Sequence, residues 1–109
     1  MKHIDYKFYG KNYKLFLAIG NYCDNGELYI GLVNKDGESF ADLTINIPFY
    51  FFEQGEDGEI IINGDISQDL VKKLVELNII KKKNKYAYSG YGKYEVAKIN
   101  KEVMKDYIL

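Results

Sequence analysis

The chain has 109 residues, 47% of them apolar and 28% charged, which is the size and balance of one globular domain with a single core. Its formal net charge of −1 argues against a strongly basic nucleic-acid binder and against an acidic mimic of DNA. All fifteen basic residues are lysines, so no guanidinium is present for bidentate capture of phosphate or carboxylate.

The first predicted strand is Ile4–Tyr9, ending at Gly10-Lys11-Asn12 as a hairpin turn. Tyr13–Tyr22 forms the second strand, with Tyr13, Leu15, Leu17 and Ile19 on the core face, because successive side chains point to opposite sides. Asp24-Asn25-Gly26 and Lys35-Asp36-Gly37 are turn signals that bracket a third strand over Leu28–Asn34. Ser39–Ile47 is the fourth, with Ala41, Leu43, Ile45 and Ile47 facing in. Pro48 has no backbone donor and should end that strand or put it at an edge. The run Phe49-Tyr50-Phe51-Phe52 and an acidic stretch, Glu53 to Glu59, follow, with a short strand expected at Ile60–Ile62.

One helix is well marked. Asp65 fits an N-cap with Gln68 three residues on, and Ile66, Leu70, Leu74 and Leu77 recur at helical spacing. Asn78 can stop the helix in the left-handed conformation. Lys81–Lys85 reads as a solvated turn. Tyr86–Tyr88 and Lys93–Ile99 read as a last hairpin about Ser89–Gly92, and Lys101–Ile108 as a short terminal helix. The expected fold is therefore α+β, a single domain over residues 1–109. It has an antiparallel β-meander sheet of five to six strands, one main helix packed on one face, and a short C-terminal helix.

The order of landmarks from Gly20-Asn21-Tyr22 through Asn25–Val33 and Asp36–Ile47, then Leu74–Ile80 and Ser89-Gly90-Tyr91, resembles a small domain family of unknown function carried by phages and integrative elements of Gram-positive bacteria. The resemblance covers about residues 13–99 and supplies no catalytic residues. It implies an accessory protein of a mobile element. Such proteins often bind and inhibit a host defence factor, as anti-CRISPR proteins do.

No residue set reads as an active site. His3 lies near a chain end without fixed partners, and Cys23, beside Asp24, lacks the electropositive setting a nucleophilic thiolate needs. The acids Glu53, Glu56, Asp57, Glu59 and Asp65 do not follow the spacing of a calcium loop. A non-enzymatic protein is expected, with no cofactor and no metal. No signal peptide or membrane span is legible, and the single Cys23 excludes an internal disulfide, so a cytoplasmic setting without membrane contact is expected.

Two segments are candidate sites. Phe49, Tyr50, Phe51 and Phe52 cannot all face one core in a strand, and aromatics left exposed beside an acidic rim suit binding to a host or mobile-element protein. Lys81, Lys82, Lys83, Lys85 and Lys93 interleave with Tyr86, Tyr88 and Tyr91, a pattern that suits nucleic acid, since rings stack bases and ammoniums neutralise phosphates. A third reading is a sponge for a small anionic signal molecule, held in a pocket between protomers of a homo-oligomer.

Overall fold

The computed structural model describes residues 1–109. Eight strands form two four-stranded antiparallel sheets, accompanied by three helices. The first sheet is a meander of β1 (Ile4–Phe8), β2 (Lys11–Asn21), β3 (Leu28–Val33) and β4 (Ser39–Asp42), in that order. The second runs β5 (Thr44–Ile45), β6 (Glu59–Ile62), β8 (Gly92–Ile99), β7 (Ile80–Ser89).

The α+β class and the antiparallel pairing agree with the sequence; the single sheet of five to six strands does not. The alternation of Ala41, Leu43, Ile45 and Ile47 predicts one strand of one sheet. The chain stays extended there, but its hydrogen-bonding partner changes. Asp42 pairs with Gly31 of β3, whereas Thr44 and Ile45 pair with Ile62 and Ile61 of β6. Leu43 is the corner: its N–H bonds to the carbonyl of Ile30 and its carbonyl accepts from Asn63. The facing changes as well: Leu43 and Thr44 are both buried, Leu43 in the core between the sheets, whereas Ile45 and Ile47 turn to the outer side of the second sheet with Ile61, so a period of two does not carry across a change of sheet.

The inner faces of the sheets share one core. Ile4, Leu15, Leu17, Ile30 and Leu32 from the first sheet meet Ile60, Ile62, Ala97 and Ile99 from the second. Helix α2 (Gln68–Glu76) adds Leu70, Val71 and Leu74. Each leucine, isoleucine or valine among them contributes roughly 1.5–3 kcal/mol on burial.

The N-cap of α2 is Ser67 rather than Asp65. The segment before it is folded by Asn63, which accepts from the N–H of Asp65 through its side chain and from that of Ile66 through its carbonyl. That turn delays the helix, and the Ser67 hydroxyl accepts from Leu70 N–H at 3.2 Å. The far end is as expected. Asn78 takes a φ of 62°, Ile79 N–H bonds back to Leu74, and Asn78 N–H bonds to Val75, a complete Schellman closure.

The C-terminal segment forms α3 (Lys101–Met104) and a 3-10 turn (Lys105–Tyr107). It docks through Met104 and Tyr107, and Ile108 bridges to Leu17 of β2.

Two further segments depart from expectation. Lys81–Lys85 is part of β7, not a turn; a bulge between Lys82 and Lys85, with Asn84 at φ 56°, absorbs the irregularity. Lysines are tolerated because β7 is an edge strand, where charge discourages further pairing. Pro48–Gln54 is a helix, α1, that the sequence did not announce. The strand stops at Ile45, short of Pro48, which is instead the first residue of α1, where its missing N–H is of no consequence.

Candidate functional site

Helix α1 covers the outer face of the second sheet. Ile47 and Tyr50 pack on Ile61, Ala87 and Val96, with Ile45, Phe51 and Tyr94 at the margin. The helical turn divides the four aromatics. Tyr50 is buried at 3% exposure and Phe51 is half-buried, whereas Phe49 and Phe52 stand 72% and 86% exposed. Spaced three apart, those two share one helix face. Exposed acids Glu53, Glu56 and Asp57 follow them along the chain.

Beneath α1 lies a polar network that sequence reasoning did not find. The side chain of Glu59 has no exposed surface. Its carboxylate accepts from the Tyr50 hydroxyl at 2.8 Å, from Glu56 N–H at 3.1 Å and from Lys85 Nζ at 3.0 Å. Lys85 also reaches Glu56 at 3.4 Å, and its ammonium lies 5.7 Å from the Tyr50 ring centroid. Burial alone would raise the Glu59 carboxyl, but the three donors outweigh it and hold the group below its ordinary range. Burial, together with the Glu59 carboxylate, pushes the Tyr50 phenol up. The Tyr50 hydroxyl and Glu59 hold the Lys85 ammonium above its usual value. The available signal was alternation: Glu59 stands two residues before Ile61 and shares its face.

The network joins the two candidate segments. Lys85 belongs to the lysine and tyrosine set, yet it is the counter-ion of a buried acid under the aromatic helix. Lys82 is paired with Glu95 at 3.3 Å, and Lys93 sits 4.1 Å over the ring of Tyr86. Lys83 is half-buried at the bulge, and Lys81 stands at the opposite end of β7 from the hairpin tip. The tip itself, turning at Gly90-Tyr91, presents Tyr88 and Tyr91 at 65% and 110% exposure, with Tyr86 partly shielded by Lys93.

The outer face of the first sheet carries no helix and is closed by a tyrosine instead. Tyr29 lies along its own strand over Gly31 and donates to Asp42 at 2.6 Å. Tyr94 lies in the same manner over Gly92. His3 sits 3.1 Å from Asp5 and edge-on to Phe16, and Cys23 is exposed. No group of three or more His, Cys, Asp or Glu side chains is gathered in a way that could hold a metal ion. No helix is long and apolar enough to cross a membrane.

The sequence profile of one family, described as a domain of unknown function (DUF4313), matches residues 16–108. No curated protein and no solved structure matches the chain.

Proposed function

We propose, taking as premise that the chain belongs to the DUF4313 family of domains of unknown function, that it is a non-enzymatic accessory protein that binds a partner protein through α1. The observation that carries this reading is the exposure of Phe49 and Phe52 on a helix clamped by the buried Tyr50–Glu59–Lys85 network. The helix backbone that carries them is already ordered by Tyr50, so binding would cost only the rotamer freedom of the two rings. The acids that follow them favour a partner with an apolar pocket rimmed by basic groups. The resemblance to domains of phages and integrative elements suggests a cytoplasmic host protein, and a component of a defence system such as CRISPR-Cas is the partner class we propose.

The test is an affinity pull-down from host lysate with nuclease present, using the wild type and the double variant Phe49→Asp/Phe52→Asp. Both positions are exposed, so the variant should keep its far-UV spectrum and melting temperature while losing the partner. Full recovery of the same partner by the folded variant would overturn the reading.

The hairpin tip supports a second reading, binding of single-stranded nucleic acid through Tyr88, Tyr91 and Lys93. Pairing of Lys82 and Lys85 with carboxylates leaves that tip with little free charge. The second reading predicts recovery of nucleic acid that is lost on nuclease treatment and a steep loss of affinity with salt.

A further inference from the structure

Two Asn-Gly steps occur in the chain, Asn25-Gly26 and Asn63-Gly64. Both asparagines form the same side-chain turn, in which Oδ1 accepts from the amide two residues on, Glu27 at 3.1 Å and Asp65 at 3.1 Å. Identical dipeptides in the same local turn share their intrinsic chemistry, so a difference between them is imposed by the surrounding fold.

That chemistry is intramolecular. The glycine backbone nitrogen, once its proton has gone to solvent hydroxide, attacks the asparagine Cγ. A C–N bond forms and the Cγ–Nδ2 bond breaks; Nδ2 takes a proton from water and leaves as ammonia. The cyclic imide then adds one water and opens either to aspartate or to isoaspartate, in which the main chain runs through Cβ and Cγ. Glycine permits the closure because it carries no Cβ beside the attacking nitrogen.

The fold treats the two steps differently. Residues 23–26 are all exposed, and beyond its chain neighbours no atom lies within 4 Å of where a Cβ on Gly26 would stand. Closure there requires only that Gly26 N–H leave the Tyr22 carbonyl, at 2.8 Å, and that the exposed amide pair of Asn25 with Asn46 part. Both bonds involve the β2–β3 loop alone on one side, and such bonds open locally. Asn63 is half-buried at the corner between the sheets. Its N–H bonds to the Leu43 carbonyl at 2.8 Å, its carbonyl accepts from Ile66, and its Nδ2 donates to the Asp42 carbonyl at 3.0 Å. The ring of Tyr94 comes within 3.2 Å of the Cβ position on Gly64. Freeing Asn63 therefore means opening the junction of the two sheets.

We propose that Asn25 is a site of spontaneous deamidation in the folded protein and that the sheet corner protects Asn63. The product places a second carboxylate beside Asp24 and removes the donor that Asn25 Nδ2 gives to Asn46, the residue before the Ile47 cap of α1. The site shares no residue with the α1 surface and does not depend on the partner-binding reading.

Peptide mapping by mass spectrometry tests the proposal, with the full chain incubated in mildly alkaline buffer, folded and in concentrated guanidinium chloride. In the folded chain the peptide holding residue 25 should convert at least about tenfold faster than the peptide holding residue 63, because a surface loop opens far more often than the core. In guanidinium chloride the two should convert within about twofold of each other, since the fold no longer separates them. Conversion of Asn63 in the folded chain as fast as that of Asn25 would overturn the proposal. So would an Asn25 that stays intact in the folded chain while the unfolded sample converts, or a preference for residue 25 no larger in the folded chain than in the unfolded one.

Discussion

Replacing Lys85 by methionine keeps most of the aliphatic stem and removes the ammonium that faces Glu59. The Glu59 side chain is fully buried, and breaking a buried pair by removing one partner costs about 3–5 kcal/mol. Two features reduce that figure here. The Lys85 side chain is 31% exposed, and the Tyr50 hydroxyl and Glu56 N–H still donate to the carboxylate. The expected loss is about 2 kcal/mol near pH 7, or roughly 8–12 °C in melting temperature for a chain of this size.

The pH dependence gives the sharper test. In the wild type the Glu59 carboxyl is held below its ordinary 4.5, so its contribution is present above that value and lost as pH falls through the depressed folded one. Without Lys85, the hydrogen bond and the charge it contributes are gone, and the carboxyl moves upward from its wild-type position. The variant then recovers relative to the wild type as the solution is acidified, and the gap between them narrows as the pH falls toward 4.5 and on through the depressed wild-type value. Urea unfolding followed by far-UV circular dichroism at several pH values measures both quantities. A variant within about 0.5 kcal/mol of the wild type near neutrality, or a gap that does not change with pH, would refute the assigned role of the network.

Gly31→Ala places a methyl carbon 2.5 Å from the Tyr29 hydroxyl and 3.2 Å from the adjacent ring carbon, so the ring must swing away from Asp42. The Asp42 hydrogen bond, with a further contribution from burial, pushes the Tyr29 phenol up to about 12; ultraviolet titration of the variant should find it back near 10. Because the folded value is raised, Tyr29 stabilises the wild type fully below pH 10 and loses that contribution as the pH rises toward 12, a loss the variant should lack. Ser67→Ala should cost about 1 kcal/mol in urea unfolding, since it removes the cap of α2. Asp65→Ala should stay within about 0.5 kcal/mol, and the reverse ranking would restore Asp65 as the cap.

Local chemistry was legible in the chain and spatial partnership was not. Asn25-Gly26, Asp36-Gly37 and the Ser89–Gly92 segment mark real turns because left-handed backbone demands particular residues: Gly26, Gly37 and Gly90 all take positive φ. The terminal helix was legible because Val103, Met104, Tyr107 and Ile108 fall on one side and dock. Helix α1 was hidden because phenylalanine and tyrosine are indifferent helix formers. It is held by where Tyr50 lands, on Ile61 and Val96 from distant strands. The edge strand at Lys81–Lys85 was hidden because solvated charge looks alike in a turn and on a sheet margin. Of the candidate site, strand alternation predicts that some of the four aromatics are exposed but groups Phe49 with Phe51; the helix exposes Phe49 and Phe52 instead. The inward turn of Glu59, in a run of exposed acids, had only the period of its own short strand to announce it.

The corner at Leu43 has a consequence for how the molecule comes apart. Because β4 and β5 are successive stretches of one extended segment, a slip of one residue against β3 would also move Ile45 off Ile61, so each sheet fixes the register of the other. Thr44 reinforces this, accepting from the Ile30 amide while pairing with the Tyr22 hydroxyl. The sheets therefore cannot open one at a time. Amides on β2, β3, β6 and the inner half of β8 should exchange with solvent together, at the rate of global unfolding. The Tyr88–Gly92 hairpin tip extends past the last paired residue of β6 and beyond the cluster under α1, and should open alone and far more often. Any ligand of that tip would meet a locally adjustable element attached to a body that unfolds as one cooperative unit.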